Sequence, residues 1–275
     1  MKWIDGNVQV DHPRQPWTGN EKVFSCSMLH DLKSHPRYRA AKYENDLEAA
    51  FDVVEALLTE EVLDAISDSV IENAPRDVRV VRPNPGFDEE GHDDAAGTQK
   101  GFTNALPVAF QAVLCEQLGA EPDDEIVQAA RVGRTKLGLF MRFLCQPEFN
   151  GNVRPNDQYV VVDDVITTGG TFAALRSHIA KKGGKATFFA TLAHKSELEI
   201  AIASEEAKIQ RLEREFGSEL SSFWLEVVGH EIRCLTNAEA VALVEWRSSR
   251  CAGLRPKPSL QRLRARLNKA GSKGF

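Results

Sequence analysis

The stretch YVVVDDVITTGGT, residues 159–171, decides the fold and marks the candidate site. A tyrosine and three valines run into Asp163 and Asp164, and such a continuous apolar run is typical of a buried parallel strand. The small hydroxyl and glycine residues that follow predict a tight turn into the next helix. Because ligands bind beyond the carboxyl ends of the strands in open parallel sheets, we expect a ligand at this junction.

The turn after the aspartates has the chemistry of a phosphate site. Its glycines let the backbone approach a ligand closely, and free N–H groups at a helix N-terminus favour an anion. The threonine hydroxyls donate further hydrogen bonds to phosphate oxygens. The pattern is neither a Walker A loop, which ends in Gly-Lys-[ST], nor the G-x-G-x-x-G of dinucleotide-binding folds. The five residues of this loop are Thr167, Thr168, Gly169, Gly170 and Thr171.

The two aspartates suit the part of a ligand that the loop cannot hold. Carboxylate oxygens bind sugar hydroxyls or a hydrated Mg²⁺ ion. A sugar phosphate would therefore satisfy the whole stretch, with Asp163 and Asp164 on the sugar or its metal and the loop on the phosphate.

The segments around this stretch alternate between strand and helix patterns. Residues 76–83 and 186–193 read as strands, and residues 102–119 and 169–186 read as helices. This alternation predicts an α/β fold, a doubly wound, mainly parallel sheet flanked by helices. Helical additions are expected at both ends, over residues 44–74, 196–217 and 236–249, with a late strand at residues 230–235.

Composition points to a soluble cytoplasmic protein. The chain has 275 residues, of which 42% are hydrophobic and 27% charged, and such values are usual in globular proteins. No apolar run approaches the roughly 18 residues that span a membrane, and the first residues lack the apolar segment of a signal peptide. The five cysteines lie far apart without a C-x-x-C pair, which argues against a disulfide framework or a zinc module.

Charge divides the chain unevenly. Residues 250–275 carry eight Lys and Arg residues and no Asp or Glu, which leaves 26 basic and 40 acidic residues in the rest. A basic tail on an acidic body could meet nucleic acid or an acidic surface. An exposed tail kept soluble by its charge is the simpler alternative.

The sequence VVVDDVITTGGT resembles the PRPP-binding motif of the type I phosphoribosyltransferases, where PRPP is 5-phosphoribosyl 1-pyrophosphate. The resemblance implies that Asp163 and Asp164 hold the ribose hydroxyls, directly or through Mg²⁺, and that residues 167–171 hold the 5-phosphate. Some members carry a third acid at the first loop position. Here that position is Thr167, which argues against a hypoxanthine–guanine type of enzyme.

A second resemblance narrows the family. A strand, a polar loop, the helix segment KGFTNALPVAFQAVLCEQLG, the basic segment RVGRTK and the PRPP motif follow each other in the order seen in ComF-type proteins. The family's segment of a basic residue followed by Gly-Phe-Asn-Gln is matched loosely by residues 100–104. The resemblance covers roughly residues 78–193. Many relatives carry a cysteine-rich zinc module before this region, and this sequence has none. The predicted C-terminal helices and the basic tail also lie outside the resemblance.

The resemblance implies a displacement at the ribose anomeric carbon, in which pyrophosphate leaves. Such chemistry needs positioning and neutralisation of the leaving group rather than a protein nucleophile. Basic residues in the loops before the motif strand are the candidates for that neutralisation. Beside Asp163 and Asp164 we expect Arg134 and Lys136 in catalysis, and Arg82, Lys100 and Arg131 on the pyrophosphate.

Nothing in the sequence identifies the acceptor. We expect PRPP, Mg²⁺ and a small-molecule acceptor as ligands, and no membrane. Binding of nucleic acid by the tail and a homodimer stay open, as do two alternatives to catalysis: a PRPP- or nucleotide-sensing protein and a competence-type, nucleic-acid-associated factor. The expected division is an N-terminal segment that could form a hood, 1–75, a phosphoribosyltransferase-like core, 76–193, a helical addition, 194–249, and the basic tail, 250–275.

Overall fold

The computed structural model describes residues 2–4, 7–9, 14–73, 77–85, 104–129 and 137–272. Ten strands lie in these ranges. They are β1 Lys2–Ile4, β2 Asn7–Gln9, β3 Lys22–Met28, β4 Val78–Val81, β5 Asn84–Pro85, β6 Glu121–Asp123, β7 Val127–Gln128, β8 Phe149–Asn150, β9 Gln158–Val165 and β10 Lys185–His194.

Twelve α-helices lie in the same ranges. They are α1 Leu29–Ser34, α2 Tyr38–Tyr43, α3 Leu47–Leu57, α4 Glu60–Asn73, α5 Leu106–Leu118, α6 Leu139–Leu144, α7 Gly170–Lys181, α8 Glu197–Ile200, α9 Glu206–Phe216, α10 Leu220–Val228, α11 Asn237–Arg250 and α12 Pro256–Gly271. None of them combines the length and the apolar character that crossing a membrane requires.

The main sheet has five strands in the order β3-β10-β9-β4-β6, and all four pairings are parallel. The motif strand β9 lies at the centre, so its valines are buried on both faces. Val160 and Val162 face one core together with helices α1–α5, which we call the first helical layer. Tyr159 and Val161 face the opposite core with α7. Helices therefore cover both faces, and the prediction of a doubly wound, mainly parallel α/β fold is confirmed.

A third core holds the end of the chain together. Helices α6 and α9–α12 pack around Phe143, Trp224, Leu243 and Leu263, and we call this body the C-terminal helical core. The basic tail is thus helical over Pro256–Gly271, because an apolar stripe through Leu260, Leu263 and Leu267 packs against the other helices. Its arginines Arg264 and Arg266 lie over the rings of Phe223 and Phe140, at 4.8 and 4.5 Å from guanidinium carbon to ring centroid.

The prediction of helical structure over residues 44–74 is confirmed for the described residues, which form two helices because the Thr59 hydroxyl accepts a hydrogen bond from the N–H of Val62 and starts a new helix. Two other local predictions are wrong. Residues 196–217 form two helices rather than one long helix. The link between them pairs Ala203 with Thr236 in an isolated bridge. Residues 230–235 form a 3₁₀ turn over Ile232–Cys234 rather than a strand, because their hydrogen bonds are local.

Two predicted helix ends are confirmed. Helix α5 ends at Gly119 in the left-handed conformation, with φ 61°. Helix α11 begins with a capping box, in which Thr236 and Glu239 each bond the other's backbone N–H. Strand β3 was not expected, and it joins the main sheet although it lies within the 1–75 segment. The four-part division of the chain stays a prediction.

Candidate functional site

The candidate site lies where the winding of the sheet changes direction. Strands β4 and β9 are neighbours, and the chain leaves β4 toward β6 on one side and β9 toward β10 on the other. The helices of these two crossovers, α5 and α7, pack on opposite faces. The carboxyl ends of two such strands enclose a crevice, which is the usual ligand site of this architecture. Asp163 and Asp164 lie at that end of β9.

The two aspartates point to different faces because side chains alternate along a strand. Asp164 is buried on the side of the first helical layer, where its carboxylate forms an ion pair with the Lys42 ammonium from α2. The Asn104 amide lies 3.3 Å from the same oxygen. Asp163 is half-buried on the other side, and its carboxylate accepts a hydrogen bond of 2.8 Å from the N–H of Asp164.

These surroundings separate the pKa values of the two carboxyl groups. Burial and the neighbouring charge of Asp164 raise the pKa of Asp163 well above its usual range. Burial opposes ionisation of Asp164 as well, but the Lys42 ammonium outweighs it and lowers the pKa of Asp164. The pair therefore combines a carboxylate that Lys42 stabilises with a carboxyl group whose ionised form gains from a positive or hydrogen-donating ligand.

The loop after β9 is held from behind by the C-terminal helical core. Gly169 adopts the left-handed conformation, with φ 73°, and its missing side chain leaves room for Thr236, whose methyl carbon would lie 3.2 Å from a Cβ at that position. The Thr236 hydroxyl donates a hydrogen bond to the carbonyl of Thr168. Helix α7 then begins at Gly170.

A buried ion pair anchors Thr236 in turn. The Glu239 carboxylate accepts hydrogen bonds of 2.6 and 3.0 Å from the Arg14 guanidinium, and both side chains are buried. Burial opposes ionisation of Glu239, but the charge and hydrogen bonds of Arg14 outweigh it and lower its pKa. The chain of contacts from Arg14 through Glu239 and Thr236 to Thr168 fixes the backbone of the loop.

A cleft of about 370 Å³ connects the aspartates and the loop. The Arg142 guanidinium enters it from α6 and donates a hydrogen bond of 3.1 Å to the Thr167 hydroxyl. The wall is made by the whole stretch 163–172 and by Leu29, Lys33, Tyr38, Lys42, Tyr43 and Arg142.

Arg82 is the one other predicted site residue within the described ranges, and it does not join this group. Arg82 lies at the end of β4, where its guanidinium contacts Gln111, Asn84 and Asp124 at 2.8, 2.8 and 3.1 Å, and it is not part of the cleft wall. The four remaining cations lie outside the described residues, so their roles stay predictions. They are Lys100, Arg131, Arg134 and Lys136.

The fold brings three cations to the cleft that the sequence did not indicate, Lys33, Lys42 and Arg142. Lys42 lies 122 positions before its partner Asp164, so no local pattern connects them. Arg142 carried a weak signal, because it is the one charge in the short helix LFMRFL. An isolated arginine among aromatic and aliphatic residues marks a helix whose polar side has a specific partner.

No family model matches the chain. Among curated proteins, it is 32% identical over 255 residues to Protein TraN of Escherichia coli, a match that covers 92% of this chain and 50% of that protein. It is also 32% identical over 155 residues to an uncharacterized protein of Haemophilus influenzae, covering 56% of this chain and 31% of that protein. The chain thus spans half or less of the length of these relatives.

Solved structures similar to the chain include adenine phosphoribosyltransferases. One covers 54% of this chain at 14% identity with a TM-score of 0.29. The enzyme from Leishmania tarentolae covers 66% of this chain at 13% identity, also with a TM-score of 0.29. At these identities and TM-scores, the similarity does not indicate an activity for this chain.

Proposed function

We propose that the chain is a PRPP-dependent phosphoribosyltransferase. The observation that carries the proposal is one cleft at the direction change of a parallel sheet, with Asp163 and Asp164 at one end and the loop at the N-terminus of α7 at the other. The carboxylates bind the ribose hydroxyls, and residues 167–171 bind the 5-phosphate. The charges match, because the loop offers N–H groups and hydroxyls while the strand end offers acceptors.

The reaction is a substitution at the anomeric carbon of the ribose. The bond from that carbon to the pyrophosphate oxygen breaks, its electron pair leaves with pyrophosphate, and a nitrogen of the acceptor forms the new bond and loses a proton. The protein's part is to hold the sugar between two fixed points and to exclude other orientations. Neutralisation of pyrophosphate is assigned to Arg134 and Lys136, with Arg82, Lys100 and Arg131 as further contacts.

A Mg²⁺ ion fits the carboxylate end of the cleft. Mg²⁺ binds through one or two carboxylates and keeps water and substrate oxygens as its other ligands. Asp163 and Asp164 supply two such carboxylates, and the Lys42 ammonium against Asp164 already shows that this position holds a positive charge. When bound, the ion would neutralise charge on the leaving pyrophosphate.

The ComF-type assignment is part of the proposal and rests on segment order. One contact supports it: Asn104, the last residue of the matched segment 100–104, has its amide against Asp164. The segment therefore ends at the carboxylates of the candidate site.

A PRPP- or nucleotide-sensing role is the second candidate. The observation that favours it is the ion pair between Lys42 and Asp164, since one of the two carboxylates is already neutralised by the protein. A sensor needs the binding cleft but no turnover. Release of pyrophosphate from PRPP in the presence of candidate bases or ammonia separates the two, because a transferase releases it and a sensor does not.

Calorimetric titration with PRPP and Mg²⁺ tests the binding on which both candidates depend. The intact chain is expected to bind, and the double variant Asp163→Asn, Asp164→Asn to bind at least tenfold more weakly, since it loses two charge-assisted contacts. A matched control is Asp52→Asn, whose carboxylate lies away from the cleft against Arg37. No binding by the folded wild-type chain would overturn both candidates, and equal binding by the double variant would refute the ribose assignment.

A further inference from the structure

The loop that we assign to the phosphate offers less positive charge than a phosphate monoester carries negative charge. A phosphate monoester carries about −1.5 to −2 charges at neutral pH, whereas a helix N-terminus is equivalent to about +0.5. The threonine hydroxyls add hydrogen bonds but no charge. Asp163 and Asp164 also lie in the same cleft and repel a phosphate. A full positive charge at the loop would therefore strengthen the binding of a phosphate.

Arg142 has the position to supply that charge. Its guanidinium lies 3.1 Å from the Thr167 hydroxyl, in the wall of the cleft. The Nε–H donates to the carbonyl of Leu137 at 2.9 Å, which fixes the plane of the group. Among the described residues, Arg142 is the cation that is hydrogen-bonded to the loop. A guanidinium matches the geometry of phosphate oxygens and keeps its charge at all relevant pH values.

The C-terminal helical core holds Arg142 in place. On either side of it along α6, Phe140 packs edge-on to Trp246 and Phe143 edge-on to Trp224, with ring centroids 5.3 and 5.0 Å apart. The same core supplies Thr236, which bonds the loop backbone from behind. The helix that carries the cation and the loop that it faces are thus positioned by one packed body.

We propose that Arg142 is a phosphate-binding residue that makes the cleft select sugars carrying a terminal phosphate monoester. The C-terminal helical core acts as its support, which gives these additional helices a function at the site. This inference rests on the proposed function for the location of the phosphate. It goes beyond that proposal by naming a side chain outside the motif as the determinant of phosphate specificity.

The test compares ribose 5-phosphate with ribose, using Arg142→Ala, Arg142→Lys and the exposed control Arg154→Ala. Because a hydrogen bond to a charged group is stronger than one between neutral groups, Arg142→Ala should bind ribose 5-phosphate roughly 10- to 100-fold more weakly. Affinity for ribose should not change, because ribose makes no phosphate contact. Arg142→Lys should recover part of the loss, and Arg154→Ala should match wild type. Ligand-observed NMR measures both sugars on the same samples.

If the role of Arg142 were purely structural, Arg142→Ala would bind both sugars more weakly by the same factor and would unfold at a lower temperature. That result would overturn the inference. Unchanged binding of ribose 5-phosphate by Arg142→Ala would do the same. If the wild-type chain binds ribose 5-phosphate through Arg142 but does not bind PRPP, the transferase proposal fails and the phosphate assignment stands. If the folded wild-type chain binds neither, both are wrong.

Discussion

Each end of the cleft is backed by an ion pair with a buried carboxylate, but the two pairs stand in different relations to the ligand. At the carboxylate end, Lys42 pairs directly with Asp164, a group that we assign to the sugar. At the end that we assign to the phosphate, Arg14 pairs with Glu239, which lies behind the loop and is linked to it through Thr236. A ligand must therefore compete with an existing contact at one end and finds a prepared surface at the other.

This difference assigns separate tasks to the two additions to the sheet. The first helical layer stabilises the ionised Asp164 through Lys42, whereas the C-terminal helical core holds the backbone of residues 167–171 through Thr236 and carries Arg142. Substitutions behind the loop should therefore lower the free energy of unfolding of the C-terminal helical core. Substitutions around the aspartates should instead alter the ionisation of Asp164.

The largest effect is expected from Glu239→Gln. Removal of this charge leaves Arg14 buried without an anionic partner, and breaking a buried pair in this way costs about 3–5 kcal/mol of unfolding free energy. Urea denaturation of the intact chain measures this free energy, with the exposed Glu245→Gln on the same helix as control.

The same residue makes stability depend on pH. Because the folded state lowers the pKa of Glu239, its carboxylate stabilises the fold at pH values above its unfolded-state pKa of about 4.3. This stabilisation is lost as the pH falls through the folded-state pKa. The variant should thus show a flatter loss of stability in acid, and equal acid profiles would contradict the role of the pair.

A smaller loss of unfolding free energy is expected from Lys42→Met. The Lys42 side chain is 25% exposed, so water reaches the ion pair and can solvate the Asp164 carboxylate in part once the ammonium is gone. The expected decrease in unfolding free energy is about 2 kcal/mol at neutral pH. Lys33→Met, an exposed lysine of the same cleft wall, serves as the control and should change little. A Lys42→Met protein as stable as its control would show that Asp164 does not depend on the ammonium.

The contact behind the loop can be isolated with two glycines of nearly equal backbone conformation. Gly169 and Gly253 have φ values of 73° and 72°, but a Cβ would meet the Thr236 methyl at Gly169 and open space at Gly253. Each Ala substitution carries the strain of a left-handed residue, about 1–2 kcal/mol. Gly169→Ala should lower the free energy of unfolding more than Gly253→Ala does, and it should also weaken the binding of ribose 5-phosphate. Equal losses in thermal unfolding would mean that Thr236 does not press on the loop.

The smallest effect, and one of opposite sign, is expected from Asp163→Asn. Its folded-state pKa is raised, so Asp163 contributes stability only below the unfolded value near 3.9 and loses it as pH rises through the folded value. An amide removes that penalty, and the variant should unfold at a slightly higher temperature than wild type at pH 7 while binding PRPP less tightly. A lower unfolding temperature would show that the ionised Asp163 is stabilised by contacts within the protein.

The sequence predicts what is local in the chain. The buried strand, the two acids and the turn of residues 159–171 follow one another directly, and their order alone places them at the carboxyl edge of a sheet. The capping box of Thr236 and Glu239 is equally local. These features depend on hydrogen bonds and periodicity within a few residues, which a single sequence displays.

The partners of these features depend on distant pairing and were not predictable. Thr236 reaches a residue 68 positions earlier, and Lys42 reaches one 122 positions later. Strand β3 lacks a clear alternating pattern because it is only partly buried at the edge of the sheet. The basic tail misled the prediction, since its charge is more prominent in the sequence than the leucine stripe that packs it.

A crystal of the intact chain soaked with PRPP and Mg²⁺ would show both ends of the ligand in the cleft at once. We expect the 5-phosphate against residues 167–171 with the Arg142 guanidinium in contact, and the ribose hydroxyls on Asp163 and Asp164 with Lys42 displaced from its present partner. A phosphate bound elsewhere, or a sugar in the reversed orientation with pyrophosphate on the loop, would contradict it.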